Sequence, residues 1–325
     1  MKFLLVTGGC GFIGSNFIRF FLKNRPGWGV LNLDSLSYSG NPENLKDFRG
    51  SARYKFIKGD IKNKKLVLNL MRKASAVVHF AAETHVDRSI ENSDDFLKTN
   101  ILGTASLLES SLACGIKRFV HMSTDEVYGS IARGYADERA PLLPNSPYSA
   151  SKAGADLLVR SFQETYKHPA IIVRCTNNYG PYQYPEKVIP LFVTNLIEGK
   201  TVPLYGNGKN RRDWIYVDDA CRAVLLVLEK GRPGEIYNIG AHHEMNNLEL
   251  TFAILRRFKK GKEMIRCVAD RLGHDLRYAV NFNKLKKLGF RTRWSFAKGL
   301  AATARWYRDN PDWWKPLKQD KFTVK

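Results

Sequence analysis

Cysteine is scarce and scattered: Cys10, Cys114, Cys175, Cys221 and Cys267 are odd in number, and no CxxC occurs. That pattern argues against a disulfide framework and a zinc site, and points to reduced thiols in a cytoplasm. The seven histidines lack metal-ligand spacing, so no metal is expected. No eighteen apolar residues run together, which argues against a membrane span. The opening "MKFLLVTGGCGF" is too soon broken by glycine to read as a signal peptide. Internal repeats, low-complexity stretches and zinc-finger, RRM or KH signatures are absent as well. Acidic residues are in short supply: 31 against 52 basic ones, a net charge of +21. This imbalance suggests an anionic partner: nucleic acid, an acidic membrane surface or a phosphorylated small molecule. Much of the excess lies in "RRFKKGKEMIR" (256–266) and "KLKKLGFRTR" (284–293). Apolar residues recur there at helical intervals, as on solvated helix faces.

The chain has 325 residues, 44% of them apolar and 12% aromatic, enough for a sizeable core. Strand-like runs occur at 2–8, 29–34, 54–60, 76–82, 117–123 and 170–175. Helix-like runs occur at 15–24, 65–73, 100–115 and 148–166. Alternation of strands apolar throughout with helices predicts an α/β fold, a doubly wound parallel sheet covered on both faces. Residues 1–176 form the expected nucleotide-binding domain, and 213–231 and 234–240 read as a return to its sheet. Residues 177–187 read as loop, and 177–212 with 241–325 as a smaller mixed α/β substrate domain. His79 and His121 sit on apolar strands and read as core residues.

"TGGCGFIG" (7–14) follows the first strand and opens the first helix, with glycines at Gly8, Gly11 and Gly14. Glycine lets backbone approach a pyrophosphate, and a helix N-terminus supplies free N–H groups and partial positive charge. Asp34 ends the second strand twenty residues beyond Gly14. A carboxylate there accepts from ribose hydroxyls and repels a 2′-phosphate, which selects NAD over NADP. Asp60, in "GDI" after the third strand, is placed to meet the adenine amino group.

"YSASK" puts Tyr148 and Lys152 at i and i+4 on one helix face, and "SP" (146–147) makes a helix start. A neighbouring ammonium favours phenolate, so the tyrosine pKa is expected to fall toward the working pH. "HMSTDEVYGS" (121–130) sets Thr124, Asp125 and Glu126 at a strand end. Thr and Asp suit a turn or N-cap, but two adjacent carboxylates also suit acid–base work, because their repulsion helps one stay protonated.

With "FAAETHVDRSI" (80–90), "STDEVYG" (123–129), "SPYSASKA" (146–153), "RCTNNYGPYQYPEKVIPL" (174–191), "RRDWIYVDD" (211–219), "YNIG" (237–240) and "DRLGHDLRY" (270–278), the chain resembles the extended short-chain dehydrogenase/reductases. Within them it resembles the nucleotide-sugar 4,6-dehydratases, above all those acting on dTDP-glucose. The likeness runs from Met1 to about Trp314. It implies a Rossmann-type fold and a hydro-lyase reaction on dTDP-glucose: oxidation at C4, loss of water across C5 and C6, and hydride return to C6. The implied roles are Tyr148 as base at the C4 hydroxyl with Lys152 beside it, Thr124 bonding the C4 oxygen, Asp125 as acid and Glu126 as base. Implied NAD contacts are Gly8, Gly11, Phe12, Ile13, Gly14, Asp34, Ser35, Leu36, Ser37, Asp60, Ile61, Phe80, Ala81, Ala82, Thr99, Tyr148, Lys152 and Asn178. Implied substrate contacts are Thr84, Thr124, Asn177, Lys187, Val188, the backbone of Pro203, Leu204 and Tyr205, Arg212, Asn247, Asp270, Arg271 and His274. A homodimer pairing helices 100–115 and 148–166 is implied too. Cys10 stands where the family has alanine and Thr84 where it has serine. The stretch after Trp314 matches little. Three alternatives stand beside this reading. UDP-glucose could replace dTDP-glucose as substrate. A 4-epimerase is opposed by the carboxylate pair. A nucleic-acid-binding role on an inactivated fold is opposed by the complete set of Tyr148, Lys152, Asp125 and Glu126.

Overall fold

The computed structural model describes residues 1–319. In chain order the first half runs β1 (Lys2–Thr7), α1 (Phe12–Asn24), β2 (Trp28–Asp34), β3 (Tyr54–Lys58), α2 (Lys64–Met71), β4 (Ala76–His79), α3 (Val86–Glu91), α4 (Asp94–Phe96), a π-helical turn (Leu97–Gly103), α5 (Thr104–Ala113), β5 (Phe119–Thr124), α6 (Pro147–Tyr166) and β6 (Ala170–Cys175). The second half runs β7 (Asn177–Tyr179), α7 (Val188–Ile197), β8 (Val202–Tyr205), β9 (Arg211–Tyr216), α8 (Val217–Lys230), β10 (Ile236–Ile239), β11 (Glu244–Asn246), α9 (Asn247–Arg257), β12 (Ile265–Val268), α10 (Asn283–Lys287), α11 (Phe296–Asp309) and α12 (Pro311–Gln319).

Seven parallel strands form one sheet in the order β10-β6-β5-β4-β1-β2-β3. Both faces are covered, which is why every residue of β5 and β6 is buried, the polar His121, Ser123, Thr124 and Arg174 included. In β1, Leu4 and Val6 enter the core shared with α1 and α8, and Leu5 enters the opposite core with α2, α5 and α6. Each such side chain contributes about 1.5–3 kcal/mol by leaving water. The chain winds outward one way through β1, β2 and β3, then crosses to β4, β5 and β6. That reversal opens a crevice at the C-terminal strand ends, between β1 and β4. This is the Rossmann-type doubly wound sheet expected from the sequence.

Three local features depart from expectation. The strand at 211–216 does not return to the main sheet. It lies in a separate three-stranded sheet, order β11-β9-β7, while α8 and β10 do return. Residues 177–179, read as loop, supply the third strand of that sheet. The helix expected from residue 100 begins earlier, with α4, the π turn and α5 running on from Asp94. The smaller lobe adds the parallel pair β12-β8 and helices α7, α9, α11 and α12 around a core that includes Tyr179, Trp214, Tyr307 and Trp314. The segment after Trp314 docks on α7 through Lys318, whose Nζ donates to Asn195 Oδ1 and Glu198 Oε2, each at 2.7 Å. Residues 320–325 of the expected substrate domain lie outside the described residues. Among the described residues no helix is long and apolar enough to cross a membrane, no cluster could hold a metal, and the five cysteines are free.

Candidate active site

The crevice is a cavity between the C-terminal ends of β1 to β6 and the 175–187 segment. The glycine loop forms its floor. Gly8 has φ +72°, and a Cβ on it would stand 2.5 Å from the Ala81 nitrogen. A Cβ on Gly14 would stand 2.3 Å from the Gly8 oxygen and 2.8 Å from the Gly9 Cα, so this glycine lets helix and loop pack. Gly11 is different: a Cβ there meets only the Gly8 oxygen, at 3.3 Å, and the residue lines the cavity. Gly11 is also the N-cap of α1 and supplies no side-chain cap, leaving N–H groups of the first turn for a ligand. The three glycines thus divide into tight turn, ligand approach and helix packing, as a dinucleotide loop requires.

Asp34 is 7% exposed and accepts from the Cys10 N–H through Oδ2 and the Leu36 N–H through Oδ1, both at 2.8 Å. These bonds aim the carboxylate and leave lone pairs for ribose hydroxyls. Burial nevertheless pushes its pKa up, with nearby Glu83 adding to the rise. Of the expected cofactor contacts, Gly8, Gly11, Phe12, Ile13, Gly14, Asp34, Ser35, Ser37, Asp60, Ile61, Phe80, Ala81, Ala82, Thr99, Asn178, Tyr148 and Lys152 all line the cavity. Leu36 does not. Its backbone has φ +56°, and its N–H donates to Asp34. Cys10 is fully buried, and its thiol is pushed up to about 12 by burial and by Asp34, so it is inert. The π turn brings Thr99 to the wall, and Asn100 Nδ2 ties it to Ser151 on α6 at 2.8 Å.

On α6, Pro147 stands in the first turn and Ser146 and Ser149 form a reciprocal capping box, which fixes the register of Tyr148 and Lys152. Lys152 Nζ donates to the Met122 carbonyl at 2.8 Å, and burial pushes its pKa down to about 8. Tyr148 corrects the expectation. Its pKa is raised, first by burial, then by Glu126 and Asp125, with Asp156 adding to the rise and a Thr124 hydrogen bond opposing it. The sequence showed the neighbouring ammonium but neither the depth nor the carboxylates.

Thr124 ends β5, and its hydroxyl accepts from the Glu126 N–H at 3.3 Å, capping a 3-10 turn over Asp125–Tyr128. The turn reading and the chemical reading of "TDE" are therefore both true of the same residues. Asp125 is 2% exposed, and its Oδ2 finds no partner among the described residues. Burial, then Glu126, hold its pKa well above the usual range. Glu126 is raised as well by burial, but Arg212, Arg271 and Lys187 oppose the rise. The pair is thus split: Asp125 keeps its proton more readily than Glu126.

That split has a consequence for stability. The Asp125 pKa is higher folded than unfolded, so between the two values the folded chain binds more protons and stability falls as pH rises. Asp125→Asn is expected to melt several degrees higher than the parent near neutral pH, the gap narrowing toward about pH 4, the ordinary aspartate range. Thermal denaturation at both ends of the window reads this; a gap that widens on acidification would contradict it.

Of the expected substrate contacts, Thr84, Thr124, Asn177 and Lys187 line the same cavity. Val188, Pro203, Leu204, Tyr205, Arg212, Asn247, Asp270, Arg271 and His274 do not, and belong to the smaller lobe. Two of these still reach the centre by their fields, since Arg212 and Arg271 both act on Glu126. Arg212 is 6% exposed, lies 4.1 Å over the Tyr278 ring and donates to the Asp275 carbonyl at 3.0 Å. Leu204 is a core side chain, leaving only backbone to a ligand. Arg271 lies 3.6 Å from Asp87, and His274 Nδ1 2.7 Å from Asp270.

Sequence reasoning missed several residues in the wall and, in Tyr278, one beside it. Glu186 lines the cavity, accepts from the Tyr38 hydroxyl and lies 3.2 Å from His85 Nε2. Its signal was its place beside Lys187. Tyr278, at the end of "DRLGHDLRY", lies with its hydroxyl 3.4 Å from Glu126 Oε2 and donates to Asp275 Oδ2 at 2.6 Å. Met122, Ser123, Cys175, Thr176 and Gln183 also line the cavity, and nothing in their local sequence marks them.

Known proteins carry the same plan. The family model described as GDP-mannose 4,6 dehydratase matches residues 5–303. A dTDP-glucose 4,6-dehydratase from Streptomyces niveus is 51% identical over 320 residues, covering 97% of this chain and 95% of that protein. The crystal structure of a dTDP-glucose 4,6-dehydratase from Streptomyces venezuelae with NAD bound is 52% identical, with a TM-score of 0.95 over 98% of this chain and 100% of that one. A UDP-glucose 4-epimerase from Thermotoga maritima shares the fold at a TM-score of 0.89 but only 31% identity, over 95% of this chain and 100% of that one. The fold is therefore common to several reactions. The chain belongs to the nucleotide-sugar 4,6-dehydratases, the family described as GDP-mannose 4,6 dehydratase.

Proposed function

We propose that this protein is an NAD-dependent hydro-lyase that converts dTDP-glucose to dTDP-4-keto-6-deoxyglucose. The observation that carries the reading is the split carboxylate pair, Asp125 and Glu126, in one cavity with Tyr148 and Lys152. An epimerase needs only the tyrosine and lysine; removal of water needs a base and an acid besides. The glycine cradle, the free first turn of α1 and the aimed Asp34 carboxylate fit NAD. When bound, NAD supplies a reversible hydride acceptor and donor.

Tyr148 takes the C4 hydroxyl proton as phenolate, a form that burial and the carboxylates disfavour and that the Lys152 ammonium supports. The Thr124 hydroxyl bonds the C4 oxygen. A ketone at C4 acidifies the C5 hydrogen, which Glu126 removes; three cations oppose the upward pull of burial on this carboxylate. Asp125, which burial keeps protonated, gives its proton to the departing C6 hydroxyl. Lys187, Arg212 and Arg271 offer charge to the diphosphate.

Incubation with dTDP-glucose is expected to give the 4-keto-6-deoxy product by NMR, faster than UDP-glucose gives its counterpart. A C4 epimer alone would overturn the dehydratase reading, and faster turnover of UDP-glucose would overturn the thymidine assignment.

The same reading includes a homodimer. Leu97, Leu102, Leu112, Leu157 and Tyr166 are 40–58% exposed along the α5 run and α6, the helices expected to pair. Light scattering should read twice the chain mass, and Leu102→Glu with Leu157→Glu should reduce it to one. A monomer in the parent would contradict the pairing.

A further inference from the structure

Tyr148, Lys152 and Asp156 follow one another at i+4 steps along α6, which stacks them on one stripe of the helix. The first two line the cavity; Asp156, one turn further, does not and is 1% exposed. Both of its oxygens have a neighbour. Arg174 Nε on β6 donates to Oδ2 at 2.8 Å, and His121 Nε2 on β5 lies 3.4 Å from Oδ1. Arg174 is held in turn by donating to the Tyr128 hydroxyl at 2.9 Å, which donates to Asn238 Oδ1 at 2.8 Å. Lys152 donates to the carbonyl of Met122, the residue after His121 in β5. At this depth two cations, Lys152 and Arg174, face one carboxylate, since Lys152, Arg174 and His121 are 4%, 4% and 0% exposed.

We propose that Asp156 is a positioning residue for Lys152: its ionised carboxylate, clamped by Arg174 and His121, keeps the Lys152 ammonium charged and aimed along α6 toward the cavity. This rests on the reading of Lys152 as the cation that supports Tyr148. Burial strips an ammonium of its water and favours the neutral amine, so a buried lysine that must stay charged needs a counter-charge. The other groups facing it do not provide one. His79 on β4 and His121 on β5 are held neutral by burial, with Lys152 itself contributing. Arg174 is a like charge. Asp125 and Glu126, in the turn after β5, act on Tyr148, as Asp156 does more weakly, whereas Asp156 acts on Lys152 as well. The charges of α3, α4, the π turn and α5 (Asp87, Arg88, Glu91, Asp94, Asp95, Lys98, Glu109) stand at exposed or half-exposed positions, where water screens them. Asp156 is the group that opposes the downward pull of burial on Lys152.

The test is the titration of Lys152 itself, read by NMR in protein labelled at the lysine Cε carbons, the Lys152 signal being the one lost in Lys152→Gln. Asp156→Asn keeps the shape and removes the charge. It is expected to lower the Lys152 midpoint by about 1–2 pH units, within the range a close opposite charge exerts, while Asp156→Glu restores it. The alkaline limb of kcat with dTDP-glucose should move down with it, KM changing little, which a merely structural role would not produce. An unmoved midpoint in folded Asp156→Asn would overturn the proposal. Should that variant fail to fold, Asp156→Asn with Arg174→Gln leaves no unpaired guanidinium in the core. It should titrate below Arg174→Gln alone, and a midpoint at or above that single variant's would overturn the proposal. A midpoint that moves while the activity limb stays would support the Asp156–Lys152 coupling and overturn the catalytic reading of Lys152.

Discussion

Glu126→Gln is expected to lose turnover of dTDP-glucose by about 10²- to 10⁴-fold, the usual contribution of a positioned base. The substitution keeps the side chain's size and removes only its capacity to accept the C5 proton. The preceding step should survive, because Tyr148, Lys152 and Thr124 are untouched. Nicotinamide absorbance should therefore still rise in a single turnover, and then persist instead of decaying. This pairing of outcomes separates Glu126 from a residue that merely shapes the cavity. Arg212, Arg271 and Lys187, whose charges favour the ionised Glu126, would in the variant face a neutral amide. Substrate affinity should accordingly hold or rise, since those cations are freed for the diphosphate. Unchanged turnover would remove Glu126 from the mechanism.

Gly14→Ala is expected to abolish NAD binding while leaving most of the fold intact. The added methyl carbon would stand 2.3 Å from the Gly8 oxygen and 2.8 Å from the Gly9 Cα, both backbone atoms, so the loop itself has to move. Displacing a binding element by about 1 Å costs on the order of 10²-fold in function. NAD affinity, measured by calorimetry, should fall at least that far. Gly27→Ala is the control: nothing lies within 4 Å of its added carbon, and the residue is outside the cavity. Wild-type NAD affinity in Gly14→Ala would show that the loop does not hold the pyrophosphate.

The main sheet was legible because covering both faces favours apolar side chains on both sides of a strand, and the runs Phe3–Val6 in β1, Phe119–Val120 in β5 and Ala170–Val173 in β6 show that in their own residues. The fate of Arg211–Tyr216 was not. "RRDWIY" reads as a strand in any sheet, and its partners Asn177–Tyr179 and Glu244–Asn246 are short and remote. Those partners are also too brief, and too rich in Asn, to announce themselves. At the site, the glycine loop, Asp34, the "TDE" carboxylates and the α6 pair could be placed because each follows a recognisable strand end. Leu36 has a positive φ and its N–H donates to Asp34, which no spacing reveals. The protonation of Tyr148 was misjudged for a related reason. Helical spacing shows an ammonium one turn away, but burial and the charges of Asp125 and Glu126 come from tertiary structure. Glu186 and Tyr278 reach the site from the 175–187 segment and the smaller lobe, through contacts that only the fold creates.

The central claim is that one cavity joins oxidation at C4 to loss of water across C5 and C6. It is tested most directly with dTDP-glucose deuterated at C4, turned over in ordinary water and read by NMR and mass spectrometry. The account predicts that the deuterium reappears on C6 of the 4-keto-6-deoxy product and that C5 acquires hydrogen from solvent. Deuterium retained at C4 of a hexose that keeps its C6 hydroxyl, or lost to water, would contradict it.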